Sequence, residues 1–120
     1  MEEIRKAQVY GVRPRRIFRE AAIKYLKETD KATVRCDAFQ LRILDPYIGD
    51  LSLESVHMGT LQAFIEAREN QQRKRRTINY ALQVFRRILN LASSEWMDQR
   101  GLTWLSHAPK IKLLREEDKR

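Results

Sequence analysis

The stretch TINYALQVFRRILNLASSEW, residues 77–96, decides the fold. Its apolar side chains recur every three or four residues, which places them along one side of an α-helix. These positions are Ile78, Ala81, Leu82, Phe85, Ile88, Leu89, Ala92 and Trp96. The pattern predicts a long amphipathic helix that is capped by Thr77 and ended by Gly101.

Three earlier segments show the same helical spacing. A first helix is predicted over about residues 15–28 and a third over about residues 57–71. Between them, a second helix is predicted from a cap in residues 29–31 to about Leu44. Four helices and no convincing strand predict an all-α protein.

The second helix carries two further expectations. Phe39 and Ile43 lie off its apolar stripe, which predicts that the helix is covered on two sides. A turn is predicted to follow at residues 45–50, because the residue before Pro46 disfavours helix and Gly49 tolerates a positive φ.

The chain of 120 residues is long enough for one compact four-helix bundle. Residues 1–14 are predicted to form a flexible N-terminal arm, residues 15–108 the helical domain and residues 109–120 a C-terminal linker. Hydrophobic residues make up 42% and charged residues 33%, which argues against disorder. No apolar run approaches the roughly 18 residues of a membrane span, so no membrane partner is expected.

The sequence contains no recognisable motif for catalysis, metal binding or cofactor binding. The four glycines are isolated, so no phosphate-binding loop is present, and neither histidine has a cysteine at metal-ligand spacing. His57 is expected at a helix entrance and His107 in a loop before Pro109. Cys36, the single cysteine, indicates a reducing compartment and is expected to be a small core residue rather than a reactive thiol.

The basic residues concentrate in the C-terminal half. The net charge is +8, and residues 71–120 hold 12 basic and 5 acidic side chains. Between residues 71 and 94 the chain has no acid at all. The basic residues of that stretch are Arg73, Lys74, Arg75, Arg76, Arg86 and Arg87. Such a one-sided field favours nucleic acid as a partner, the alternative being a solvated face without one.

The polar side of the long helix predicts how DNA is contacted. It holds Arg76, Asn79, Gln83, Arg87 and Asn90, with Arg86 beside them. Arg, Asn and Gln match phosphates and base edges, and a helix N-terminus capped by Thr77 attracts a phosphate. We expect residues 73–76 to neutralise phosphates, while Asn79 and Gln83 face base edges.

The start of the second helix is a weaker candidate. It contributes Lys31, Thr33 and Arg35 to the predicted DNA contacts. Tyr80 borders the polar side of the long helix. Two roles are left open for it: stacking or hydrogen bonding, and burial of its ring against a neighbour.

The order of these motifs resembles a known family. Residues 37–50, DAFQLRILDPYIGD, are similar to a stretch of tyrosine recombinases of the phage integrase type. Arg76-Thr77-Ile78-Asn79 and the residues up to Trp96 resemble a helix of the same family, and the resemblance covers roughly residues 15–115.

The resemblance implies a core-binding domain, the all-α N-terminal module that forms half of a clamp on double-stranded DNA. Helices equivalent to the second and fourth then face the major groove. The implied partners are the catalytic domain of the same parent protein and other recombinase protomers. The implied location is the nucleoid-containing cytoplasm of a bacterium, for a bacterial or phage-encoded protein.

The family's catalytic set is not found in this chain. Neither His57 nor His107 begins a His-x-x-Arg motif, and all four tyrosines precede the point where the catalytic domain would start. The chain itself is therefore predicted not to be an enzyme. Two alternatives remain: a free-standing helical DNA-binding regulator, and a protein-interaction domain that uses the basic face.

Overall fold

The computed structural model describes residues 13–116, and the regular elements within that range are helices. The elements are α1 (Phe18–Glu28), α2 (Val34–Ile48), a 3₁₀-helix (Met58–Leu61), α3 (Gln62–Asn70) and α4 (Arg75–Ser94). The only β-type pairings in these residues are two isolated bridges. The all-α prediction with four helices is confirmed. The predicted arm, residues 1–14, lies outside the described residues except for its last two.

The long helix α4 lies at the centre of the core and packs against α1, α2 and α3. Every apolar position of its predicted stripe is buried, from Ile78 to Trp96. Phe85 is fully buried, and its ring centroid lies 5.2 Å from that of Phe18 in α1. The predicted apolar stripe is therefore confirmed as the main core surface.

The predicted ends of α4 were wrong. The helix begins at Arg75 with Lys74 in the N-cap position, so Thr77 lies inside the first turn and does not cap it. Arginine is a good helix former, and the chain reverses just before, where Gln72 adopts φ 61°. The helix ends at Ser94 instead of Gly101, because the following residues fold back and the Leu105 amide donates to the Ala92 carbonyl.

The turn predicted at residues 45–50 was also wrong, since α2 continues through Pro46 to Ile48. Ile48 is buried, and the Gly49 amide donates to the Asp45 carbonyl at 2.8 Å, which holds the last turn together. Gly49 has an ordinary helical φ of −57°. A side chain there would overlap the Asp45 carboxylate and lie 2.8 Å from Arg19 Nη2, so close approach accounts for the glycine.

The predicted third helix is divided into the 3₁₀-helix and α3. His57 stands at its entrance, as predicted, and its Nδ1 accepts a hydrogen bond from the Gly59 amide at 2.9 Å. Leu61, Phe64 and Ile65 are buried. None of the helices among the described residues is long and apolar enough to cross a bilayer.

Two residues of α2 were predicted wrongly. Cys36 is exposed instead of contributing to the core, and Phe39 is 54% exposed instead of lying under a second neighbour. Ile43 is partly buried against the core. The helix is thus covered mainly on its core side.

A buried carboxylate joins α1, α2 and α4. Asp37 has no exposed surface, and its Oδ2 accepts from Tyr25 Oη at 2.6 Å and lies 2.9 Å from Lys31 Nζ. Its Oδ1 accepts from Tyr80 Oη at 2.8 Å. Tyr25 lies in α1 and Tyr80 in α4, so a single side chain of α2 holds both neighbouring helices.

The charge of Asp37 is maintained by these donors. Burial by itself raises the pKa of Asp37, but the hydrogen bonds from Tyr25, Lys31 and Tyr80 outweigh it and lower the pKa below its ordinary value. In turn, burial and the bond to Asp37 raise the pKa of Tyr80 to about 12. The hydrogen bond to Asp37 also raises the pKa of Lys31.

Replacing Phe85 with alanine should lower the free energy of unfolding by about 3–5 kcal/mol, because it leaves a cavity in the core. Phe39→Ala is the matched control and should change it by less than about 0.5 kcal/mol, since that ring is mostly exposed. Urea unfolding followed by the fluorescence of Trp96 and Trp104 measures both. Equal losses in the two variants would contradict the observed phase of the helices.

Asp37→Asn should lower the free energy of unfolding by about 2–4 kcal/mol near neutral pH, because it removes a buried charge from its donors. The lowered pKa of Asp37 stabilises the fold above its ordinary value of about 3.9, and this stabilisation is lost as the pH falls. The difference between wild type and variant should therefore shrink below about pH 4.

The same urea titrations, repeated across pH, check this second prediction. Asp30→Asn is the control, since Asp30 is exposed and should show no such effect. An Asp37→Asn variant as stable as wild type at neutral pH would contradict the role given to Asp37.

Wild-type stability should also fall as the pH rises from about 10 towards 12, where Tyr80 with its raised pKa ionises.

Candidate nucleic-acid interface

The outer side of α4 is exposed at Arg76 and again from Gln83 to Ser94, with no exposed residue between Arg76 and Gln83. Its side chains are spaced by seven, four, three and four residues, which keeps them on one line of the helix surface. These residues are Arg76, Gln83, Arg87, Asn90 and Ser94, and together we call them the α4 stripe. With a rise of 1.5 Å per residue the stripe is about 27 Å long. It contains arginines, amides and a hydroxyl and no carboxylate.

The N-terminal end of α4 adds further positive charge. Residues 73–76 are all exposed, and none of them forms an ion pair within residues 13–116. Lys74 occupies the N-cap without a side-chain hydrogen bond, and the first turn holds no acidic residue. Backbone amides and cations therefore combine at this end, an arrangement that attracts an anion.

Arg75 differs from its neighbours because it is partly engaged. Its Nη1 donates to the Arg115 carbonyl at 3.0 Å, so part of its fork is already occupied. Thr77 is half-buried in the first turn and not at the cap. Arg73, Lys74 and Arg76 are consequently the most accessible cations at the start of the helix.

A shallow depression marks the second half of the stripe. It has a volume of about 380 Å³ and is lined by Gln83, Arg86, Arg87, Asn90, Leu91, Ser94 and Glu95. Arg86 is half-buried on its edge, whereas Arg87 is exposed. Glu95 brings a carboxylate to the far end, so the purely basic and neutral surface ends where α4 ends.

The prediction that Asn79 belongs to the exposed face was wrong, since Asn79 is only 2% exposed. Its Nδ2 donates to the Leu114 carbonyl at 2.9 Å, and its Oδ1 accepts from the Leu114 amide at 2.7 Å. Ile111 is buried nearby, so residues 111–116 lie along this edge of α4. Asn79 therefore binds the chain's own backbone instead of facing outward.

The same segment places one acid beside the basic end. Glu116 Oε2 accepts from Asn79 Nδ2 at 2.9 Å, close to where Arg75 reaches the Arg115 carbonyl. Of the predicted linker, residues 109–120, the part from Leu114 to Glu116 thus binds to α4. Helical spacing alone contains no signal for this contact, because it joins residues 35 positions apart.

The three candidate DNA-contacting residues at the start of α2 lie in different environments. Lys31 is ion-paired with Asp37, so its charge is already matched within the protein, and its contact with DNA stays a prediction. Thr33 is exposed at the N-cap of α2, and Arg35 is exposed without an ion pair among the described residues. The ring of Tyr80 is partly buried against the core, and its hydroxyl donates a hydrogen bond to Asp37.

Other cations are held by aromatic rings at the opposite end of α4. Arg16 Cζ lies 4.4 Å from the centre of the Trp104 ring, and Lys24 Nζ lies 5.3 Å from that of Trp96. The two indole rings meet edge to face with centroids 5.4 Å apart. These cations stabilise the fold by cation–π contact and are less available to an external partner than the α4 stripe.

The two histidines, far apart in the sequence, line the same depression. His57 and His107 both line a depression of about 340 Å³, together with Glu54. Within residues 13–116, however, no three His, Cys, Asp or Glu side chains converge closely enough to hold a metal ion. The depression therefore offers no described metal centre.

No protein-family model matches the chain, and neither a curated protein nor a solved structure matches it. The fold and surface define an all-α domain whose longest helix exposes basic and amide side chains at its first turn and along its second half.

Proposed function

We propose that this chain is a DNA-binding domain that holds duplex DNA against the exposed side of α4. The observation that carries the proposal is the accessibility of its cations. Arg73, Lys74, Arg76 and Arg87 are exposed, and none has an ion-pair partner within the described residues. Charges that are unmatched in the free protein can be matched by phosphates, with release of the counterions of the DNA.

The stripe has the chemistry and dimensions for a groove of DNA. A major groove about 12 Å wide admits an α-helix, and the stripe presents one helix edge over about 27 Å. Arg76 and the cations before it would contact phosphates, where the helix N-terminus adds to the attraction. Gln83 and Asn90 carry amides that pair with base edges, and Arg87 suits a phosphate or a guanine.

The sequence resemblance to phage-type integrases supports a more specific form of this proposal. The chain would be the core-binding domain of a tyrosine recombinase, which positions DNA while a separate catalytic domain of the same parent protein cuts and rejoins it. Other recombinase protomers on the same DNA would be further partners. Half of a clamp buries little surface, so the chain alone should bind weakly and with little sequence preference.

Fluorescence anisotropy of a labelled short duplex, titrated between about 50 and 200 mM salt, tests the proposal. Log affinity should fall linearly with log salt, by about 0.9 for each phosphate contacted. The double variant Arg76→Ala, Arg87→Ala should bind more weakly and have a slope about 2 units shallower, because two phosphate contacts are lost.

The control is Lys27→Ala, Arg100→Ala, which removes the same charge from exposed residues on other elements. It should change the slope by less than about 0.5, since it alters only the general field of the protein. Equal effects of the two double variants would contradict binding through the α4 stripe. Absence of binding at the lowest salt would contradict the function itself.

A further inference from the structure

The chain leaves α3 through a Schellman motif, a common way for a helix to end. The Arg73 amide donates to the Arg68 carbonyl at 3.0 Å, and the Gln72 amide donates to the Glu69 carbonyl at 2.9 Å. Gln72 is the left-handed residue of the motif, with φ 61°, at a position that normally favours glycine. The motif therefore fixes Arg73 beside the last turn of α3.

This geometry brings two arginine side chains together. In a Schellman motif, the residues joined by the longer of the two hydrogen-bonded loops frequently make an apolar contact. In this chain those residues are Arg68 and Arg73, so two like charges occupy the two positions. Neither of them forms an ion pair within residues 13–116. Like charges this close lower the stability of the free protein.

The guanidinium of Arg68 has few partners of its own. Its Nη1 donates to Gln71 Oε1, a neutral acceptor, at 3.0 Å, whereas its Nε is buried and has no hydrogen-bond partner among the described residues. Burial and then the charge of Arg73 lower the pKa of Arg68 below its ordinary value. Glu66 and Glu69 of α3 are exposed and form no ion pair in this part of the chain. An anion beside the two arginines would therefore relieve their repulsion.

The arginine pair is continuous with the basic end of α4. Arg73 directly precedes Lys74, the N-cap residue, and the first turn of α4 has neither a side-chain cap nor an acidic residue. Guanidinium groups bind phosphate oxygens through two parallel hydrogen bonds. A carboxylate of an acidic protein would also match the charges. Continuity with the exposed cations of residues 74–76 favours a phosphate of DNA.

We infer that Arg68 and Arg73 together bind one phosphate group of the DNA backbone. The inference rests on the proposed function and adds to it a residue of α3 that lies outside the basic stretch of the sequence. It also gives the like-charge pair a function, because the repulsion present in the free protein is relieved when the phosphate binds.

A double-mutant cycle, measured by anisotropy of a labelled short duplex at low salt, tests the inference. Arg68→Met and Arg73→Met should each weaken binding about tenfold, because each removes hydrogen bonds to a charged group. The variant with both changes should bind no more than about twofold more weakly than either single variant, because the two residues share one phosphate.

Arg76→Met and Arg87→Met form the matched control cycle. These residues are about 16 Å apart along α4 and would contact different phosphates, so their losses should multiply to about a hundredfold. Losses that also multiply for Arg68 and Arg73, or an Arg68→Met variant that binds like wild type, would overturn the inference and leave the DNA-binding function standing. A wild-type chain that binds no duplex at low salt would contradict both proposals.

Thermal unfolding by circular dichroism tests the repulsion without DNA. Arg68→Met keeps a long apolar side chain and removes the charge, so the melting temperature at low salt should rise by about 1–2 °C. Added salt should remove this difference, because it screens the repulsion in wild type. A melting temperature lowered by more than about 5 °C would overturn the inference, since the guanidinium would then stabilise the free protein.

Discussion

The arrangement of the helices depends on the buried carboxylate of Asp37. A charge removed from water is tolerated only when hydrogen bonds and an opposite charge replace its hydration. Tyr25, Lys31 and Tyr80 provide these from α1, the following loop and α4. Because all the donors must reach one carboxylate, the network fixes α2 relative to both neighbours. It thereby determines which side of each helix faces outward.

The exposed side of α4 is the side that the neighbouring helices and residues 111–116 leave uncovered. Tyr80 belongs to the edge shared with α2, and Asn79 to the edge covered by residues 111–116. The α4 stripe lies between these two edges and carries arginine and amide side chains. The start of the helix adds exposed cations beside amides without a side-chain cap. The surface is thus positive because the packing leaves arginine and lysine side chains exposed there.

Local spacing accounts for what the sequence could predict. The apolar stripe of α4, the helix entrance at His57 and the basic N-terminal end follow from residues within a few turns of one another. The burial of Asn79 depends on a contact between segments 35 positions apart. The continuation of α2 through Pro46 depends on burial of Ile48 against the core, which outweighs the local preference for a turn.

Amide NMR shifts, followed while a short duplex is added to the isotopically labelled chain, test the central claim most directly. We predict that the largest shifts fall on residues 73–76 and on Gln83, Arg87 and Asn90. The amides around Trp96 and Trp104, at the other end of α4, should move little. Shifts concentrated at that end, or on the exposed side of α1, would contradict the account.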